Sequence, residues 1–237
     1  MPSISLRALL AGLAATVAVG HLATPARAGS VSGAITIDAT RFSAQPPPPS
    51  PGFLDRIENP LAPIKPFDPL PYMIVVLEGG PSDETPTQPT QVRYDIVGES
   101  FERPVIPVLL GSDVELHNSG RSSPIIAADG KPDLLPAEPM NPQGGNTFKA
   151  ATAGLIVLRA PKAAHLVGRV LVLPHRFFAA VDATGKFELP DVPAGRWTLR
   201  IWYRDGWLDR TDDVIEVGKT KITVQPKVTE LKLAKAS

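Results

Sequence analysis

The sequence contains no cysteine among its 237 residues. That absence excludes disulfides, thiolate nucleophiles, iron–sulfur clusters, thiolate zinc sites and thioether attachment of haem. Net charge is missing as well, because 24 basic residues match 24 acidic ones. The chain therefore offers no basic field for nucleic acid or for an anionic lipid surface. After residue 28 there is no apolar run long enough to span a bilayer.

The first 28 residues have the layout of a secretory signal peptide. Arg7 is the only charge before an apolar stretch over residues 8–20, and Ala26-Arg27-Ala28 is a small-x-small cleavage site. These features predict a mature chain that starts at Gly29 and is soluble in the periplasm or secreted. A retained N-terminal anchor is the alternative.

Proline is abundant, with 27 residues, of which 13 lie in residues 46–89. Because proline has no N–H to donate to a strand ladder, this tract cannot be a run of central strands. We predict an extended arm over residues 41–71, with polyproline II character. Two interpretations stay open: a solvated linker, or a strap that lies on the domain or on a partner.

Short segments with a period of two, or with a continuous apolar run, predict strands separated by Pro/Gly turns. Outside the signal peptide, no window of helical length shows a 3.6-residue apolar period. We therefore expect an all-β sandwich or open barrel. The predicted strands are 29–38, 72–78, 92–97, 105–110, 112–117, 155–158, 167–173, 186–189, 197–204, 213–217, 221–224 and 229–233. The segments 118–147 and 159–166 are predicted as loops.

Residues 185–199, GKFELPDVPAGRWTL, predict a corner that closes the core. Prolines and a glycine mark a turn over which Val192 folds inward. In the strand that follows, alternation places Trp197 in the core and Trp202 on the opposite face. Trp207 comes after an Asp205-Gly206 hairpin signal.

The chain resembles the periplasmic cupredoxin-like proteins often labelled methylamine-utilisation proteins. The likeness is carried by Gly111-Ser112-Asp113-Val114-Glu115-Leu116-His117-Asn118 and by a tail from Phe177 through Gly185 and Val192-Pro193-Ala194-Gly195 to Trp202. Carboxypeptidase-regulatory and transthyretin-like modules share that tail. The resemblance implies a cupredoxin-like Greek-key β-sandwich coupled to a transthyretin-like β-sandwich.

The resemblance divides the chain into four parts. After the signal peptide, residues 29–91 hold N-terminal strands and the proline-rich arm. Residues 92–176 form the cupredoxin-like domain, and residues 177–237 form the transthyretin-like part. Because the strands at 29–38 and 72–78 look like the opening hairpin of such modules, we also consider the cupredoxin-like part to be inserted between them and the tail.

The family pattern implies a type 1 copper site, which needs a thiolate, two imidazoles and a weak axial sulfur. Laid over this sequence, its four ligand positions fall on residues that do not coordinate copper: Pro124, Ala160, Ala163 and Leu166. The resemblance therefore implies a retained scaffold without blue copper, and we expect no bound cofactor. A histidine-only site for copper or zinc through His117 and His165 is the alternative, against exposed or singly hydrogen-bonded histidines.

An aromatic surface is the remaining candidate site. The three tryptophans lie within eleven residues, and Trp202 shares a strand face with arginines. Such a composition is typical of an interface hot spot, although Trp202 packed beneath a loop or the arm is the other interpretation. The candidate binding residues are Arg200, Trp202, Tyr203, Arg204 and Trp207. We find no nucleophile–base pair, so we predict a non-catalytic chain that binds a periplasmic protein partner.

Overall fold

The computed structural model describes residues 28–37, 67–81, 88–210 and 212–234. Within these ranges the chain is almost entirely β, with one 3-10 turn at Leu70–Tyr72. The strands in chain order are β1 Gly29–Ala34, β2 Thr36–Ile37, β3 Met73–Glu78, β4 Gln91–Val97, β5 Ser100–Phe101, β6 Ile106–Leu109, β7 Asp113–Asn118, β8 Ala127–Ala128, β9 Gly145–Lys149, β10 Gly154–Ala160, β11 Ala163–Leu173, β12 Phe178–Ala180, β13 Lys186–Val192, β14 Gly195–Tyr203, β15 Gly206–Trp207, β16 Asp213–Val217, β17 Ile222–Val224 and β18 Lys227–Val228.

Strands β4–β11 form two sheets, which we call the central sandwich. One sheet has the order β5-β4-β7-β9 and the other β6-β11-β10-β8. The pairs β4–β7 and β6–β11 are parallel although most neighbours are antiparallel, so the chain crosses between sheets before it pairs. Alternating side chains such as Tyr94, Leu116 and Leu158 are buried between the two sheets.

The remaining strands form the terminal sandwich, with contributions from both ends of the described chain. One sheet has the order β12-β3-β14-β15 with β16 also on β14, another has the order β13-β1-β17, and β2 and β18 form a two-stranded parallel ladder. Strand β14 pairs in register with β3 over six residues, so the segment before the central sandwich pairs with the segment after it. Val31, Leu77 and Leu199, all 0% exposed, lie in the core between these sheets.

A third cluster of buried residues joins the two sandwiches, and we call it the seam. Its members are Ile74, Val76, Val105, Leu171 and Leu173. Four of them lie on β3 and β11, and β3 buries both of its faces: Met73, Val75 and Leu77 point into the terminal core, while Ile74 and Val76 point into the seam. That double burial explains why β3 is a continuous apolar run, since an alternating strand has one solvated face.

Polar contacts cross the seam as well. The Arg169 guanidinium of β11 donates from Nε to Asp205 Oδ1 at 2.6 Å, and Arg103 donates to the Val181 carbonyl at 2.6 Å. Within the central sandwich, the Tyr94 hydroxyl donates to the Arg103 carbonyl and accepts from the backbone N–H of Arg169, which holds the segments that carry both arginines. The two sandwiches therefore share an apolar cluster and a set of hydrogen bonds.

The all-β prediction is confirmed, and Val192 and Trp197 are buried as the corner predicts. Three local predictions are wrong. The predicted loop at 159–166 is a hairpin with a two-residue turn, because Ala160 pairs with Ala163. The predicted loop at 118–147 contains β8 and the start of β9, and the last strand is β18 rather than 229–233.

Two sequence predictions lie largely outside the described residues. They are the signal peptide, of which only Ala28 is described, and the proline-rich arm, of which residues 67–71 are described. Among the described residues, no helix is long and apolar enough to cross a membrane.

Candidate functional site

A cleft of about 840 Å³ opens where the two sandwiches meet. Leu110 and Gly154 line it from the central sandwich, and Pro81, Phe177 and Trp207 line it from the terminal sandwich. Leu110 is 36% exposed, which is unusual for a leucine next to a core. The cleft is therefore an open apolar surface continuous with the seam.

Trp202 and Trp207 form one wall of the cleft. They lie opposite each other in the β14–β15 hairpin, and their rings meet edge to face with centroids 5.2 Å apart at 84°. The hairpin turn is Arg204-Asp205, one residue earlier than the predicted Asp205-Gly206. Arg204 has a φ of 53°, the left-handed conformation that the first loop residue of a tight hairpin requires.

Two of the three indole N–H donors near the cleft, those of Trp202 and Trp197, are already paired inside the protein. Trp202 donates from Nε1 to the Arg204 carbonyl at 3.0 Å, and Trp197 donates to the Pro193 carbonyl at 2.9 Å. The Gly80 backbone lies against the Trp197 ring, where a Cβ would collide with the indole. The ring faces of Trp202 and Trp207 therefore line the cleft, whereas the indole N–H groups of Trp202 and Trp197 are not available to a ligand.

Arg200 lies over the outer tryptophan of the pair. Its guanidinium carbon is 4.3 Å from the centroid of the Trp207 ring, a cation–π geometry. The same guanidinium donates to Glu78 at 3.1 Å and has Asp212 at 3.7 Å. Arg200 is therefore held in place, and its charge is balanced by two carboxylates.

His175 is a cleft residue that the sequence did not single out for this site. Its Nδ1 is shielded from water and has no hydrogen-bond partner within the described structure. Burial lowers the pKa of His175, and the nearby Glu78 carboxylate opposes that effect only in part. Burial therefore favours the neutral imidazole, whose Nδ1 lies unpaired beside the apolar wall.

Only three of the five predicted binding residues come together. Tyr203 is 6% exposed, because strand alternation turns its ring into the terminal core. The guanidinium of Arg204 lies over Tyr72, 5.5 Å from the ring centroid. The prediction that Tyr203 and Arg204 belong to the binding surface is therefore corrected. The aromatic cleft contains Arg200, Trp202 and Trp207.

His117 lies in a polar cluster on the outer face of β4 and β7. Its Nδ1 is 3.0 Å from Asp95 Oδ1, 3.1 Å from Ser119 Oγ and 2.7 Å from an Arg93 nitrogen. Hydrogen bonds from Arg93, with smaller help from Ser119 and His117, lower the pKa of Asp95 to about 2. Nδ1 of His117 is therefore engaged by its own neighbours.

His165 lies in a different place, a pocket of about 320 Å³ at the end of the central sandwich. The same pocket is lined by three of the four positions at which the family that the chain resembles has copper ligands: Pro124, Ala163 and Leu166. The fourth, Ala160, is buried in the central core. Nε2 of His165 is 3.6 Å from Glu99.

The predicted metal residues therefore have separate surroundings. His117 contacts Asp95 on a sheet face, whereas His165 lies beside Glu99 in the pocket. Within the described part of the chain, no group of three histidine, aspartate or glutamate side chains is arranged to hold a metal ion.

Comparisons with known proteins give structural likeness at a low level. No protein-family model matches the chain, and no curated protein matches it. A reduced amicyanin mutant shares 17% identity over 35% of this chain and 81% of its own, with a TM-score of 0.31. An amicyanin from Paracoccus versutus shares 17% identity over 38% and 86%, with a TM-score of 0.32. A mutant fern plastocyanin shares 20% identity over 35% and 100%, with a TM-score of 0.31.

These likenesses concern the fold of about a third of the chain. The transthyretin-like assignment of the terminal sandwich is tested by none of them and stays a prediction.

Proposed function

We propose that this chain is a non-catalytic secreted or periplasmic subunit that binds a protein partner through the aromatic cleft. The observation that carries the proposal is the open wall of Trp202 and Trp207, with Arg200 fixed over the outer ring. Tryptophan and arginine are the residues most enriched among interface hot spots. A tryptophan pair of this kind concentrates binding energy in a small area.

The seam does not need Trp207 to close its core. Five aliphatic residues that are 0–5% exposed already fill it, and Trp202 and Trp207 pack against their edge while remaining partly exposed. Arg200 is held in position by one hydrogen bond to Glu78 and by an ion pair with Asp212. An arginine fixed in this way loses little side-chain entropy when a partner arrives.

The cleft chemistry favours binding over catalysis. Its titratable groups include Glu78 and His175, and no serine, threonine or lysine nucleophile lies among the residues that line it. Residues 1–28 would deliver the subunit across the inner membrane and then be removed.

Copper or zinc handling through His117 and His165 is the second hypothesis, and it has less support. The two histidines have different neighbours, and Nδ1 of His117 faces Asp95, Ser119 and Arg93. A site with one histidine and one carboxylate, as at His165 and Glu99, falls short of the three or four protein ligands usual for zinc.

The test is quantitative co-purification from native periplasm, followed by affinity measurement with the isolated partner. Trp207→Ala and Arg200→Ala should each weaken that affinity by about tenfold or more, the loss expected for a hot spot. Val214→Ala is the matched control, because Val214 is 53% exposed on a different strand of the same sheet.

Circular dichroism and thermal melting would first establish that each variant folds. Unchanged partner affinity in both folded cleft variants would refute the proposal. Metal analysis of the same preparation, with His165→Ala, addresses the second hypothesis.

A further inference from the structure

We infer that the segment which the cleft accepts is an extended, proline-rich stretch of the partner in the polyproline II conformation. This inference rests on the proposed function, because it names the chemistry of the partner at the same cleft. It follows from counting the hydrogen-bonding and charged groups that the cleft leaves available.

The cleft offers ring faces and few donors. The N–H groups of Trp202 and Trp197 donate to the carbonyls of Arg204 and Pro193, at 3.0 and 2.9 Å. A ligand rich in hydroxyls or amides would bury polar groups there without partners, and each unpaired group would weaken its binding. A ligand with few polar groups on its binding face is therefore favoured.

Proline is the residue whose backbone meets this condition. It has no N–H, so burying it against an aromatic face leaves no backbone donor unsatisfied. Proline-rich segments also hold the polyproline II conformation before they bind, which reduces the ordering entropy. Grooves lined with aromatic side chains are the usual receptors for such segments.

Charge points to the same ligand. Arg200 is matched by Glu78 and Asp212, and Arg176 donates to the Asp191 carbonyl and lies 5.2 Å from the Phe177 ring centroid. The described rim thus carries charges that are already engaged within the chain. An uncharged segment complements this rim better than an acidic or a basic one.

His175 supplies a polar contact for a proline-rich segment. Its shielded Nδ1 lacks a partner, and its neutral imidazole can donate an N–H. Every residue of a polyproline II segment presents a carbonyl that makes no internal hydrogen bond. A small rotation of the ring would let Nδ1–H donate to a prolyl carbonyl seated between His175 and the tryptophan wall.

The probe is an end-capped oligoproline peptide, titrated at pH 7 into the full mature chain labelled with ¹⁵N. The three tryptophan side-chain N–H signals report directly on the cleft and its floor. We expect saturable shifts for Trp202 and Trp207, and none with a Gly/Ser peptide of equal length.

Variants locate the binding. Trp207→Ala should weaken oligoproline binding by about tenfold. His175→Phe keeps a ring but removes the nitrogen, and should weaken it by about threefold. Leu110→Glu, at a position that is 36% exposed, blocks the cleft with a charge without opening a core, and so covers the case in which Trp207→Ala fails to fold.

Two results would overturn the inference: no saturable shift with oligoproline, or equal shifts with the Gly/Ser peptide. The outcome is separable from that of the proposed function. If oligoproline fails to bind while partner affinity still depends on Trp207, the inference is wrong and the function stands. If oligoproline binds but the affinity for the partner does not depend on Trp207, the proposed function is wrong.

Discussion

At the residue scale, the polar cluster on β4 and β7 shows how a partly buried carboxylate is held in its charged form. Asp95 accepts from Arg93 at 2.9–3.2 Å and from the Ser119 hydroxyl at 2.8 Å. Each of these bonds favours the carboxylate over the neutral acid, and the Arg93 bonds contribute most. Burial acts in the opposite direction and is outweighed.

Arg93→Met should raise the pKa of Asp95 from about 2 towards 3.8. Because the folded-state pKa lies below the unfolded one, the stabilisation is present above pH 3.8 and is lost as the pH falls towards 2. A shift of this size corresponds to roughly 2 kcal/mol. Since the Arg93 side chain is 51% exposed, screening leaves about 1 kcal/mol. Carboxylate NMR titration measures the pKa, and urea unfolding at pH 2 and pH 6 measures the stability.

Lys131→Met, which removes an exposed cation in a loop of the same sandwich, serves as the control for that titration. An Asp95 pKa that stays near 2 in Arg93→Met would show that Arg93 is not its cause.

At the element scale, the strand β1 depends on a glycine near its C-terminal end. A Cβ at Gly33 would collide with the Val224 carbonyl of β17 and would come within 2.7 Å of the Phe187 ring. Strand β1 lies between β13 and β17, so neither neighbour can move away without breaking its ladder. Gly33 therefore allows three strands to approach closely.

Gly33→Ala should destabilise the protein by about 3 kcal/mol, the upper range for overpacking a rigid site. The matched control is Gly218→Ala, since Gly218 is exposed and a Cβ there meets nothing within 4 Å. Chemical unfolding of both variants measures the difference. Equal stabilities for the two variants would contradict this interpretation of β1.

Whether these elements can be predicted depends on whether the pattern of buried residues is visible within each element's own segment of the sequence. The run of β3 and the alternation of β14 are visible in the residues themselves, and both strands were predicted. Strand β9 was missed because Gly144-Gly145-Asn146 resembles a turn, and its pairing with β7 exists only in three dimensions. The side chain of Arg204 was misplaced for a related reason: its φ of 53° ends the alternation that the pattern assumes.

The candidate site was predictable in part. Trp202 and Trp207 were named from composition, but the cleft itself arises where two sandwiches meet, and no sequence pattern reports that meeting. His175 was missed because its significance lies in an unpartnered nitrogen and not in its spacing. The hairpin at 159–166 depends on the pairing of Ala160 with Ala163, and two alanines give no sequence signal for such a pair.

At the scale of the whole molecule, the two sandwiches should unfold as one unit. The seam buries five aliphatic side chains, each contributing about 1.5–3 kcal/mol. The Arg169–Asp205 ion pair adds less, because Asp205 is 50% exposed although Arg169 is only 11% exposed. The apolar contacts therefore dominate the coupling, and losing the ion pair should weaken the molecule without separating its halves.

Asp205→Ala tests this ranking, because it leaves the Arg169 cation without its carboxylate while every apolar seam contact remains. All three tryptophans lie in the terminal sandwich, so their fluorescence follows that half, and the methyl signals of Leu116 follow the central core. We expect coincident unfolding curves for the wild type, and a variant in which both curves move together by about 1 kcal/mol. Glu138→Ala, at an exposed acid of the central sandwich, should move neither.

If Asp205→Ala splits the two curves, the ion pair and not the apolar seam couples the sandwiches. If the wild-type curves already differ, the seam does not couple them at all.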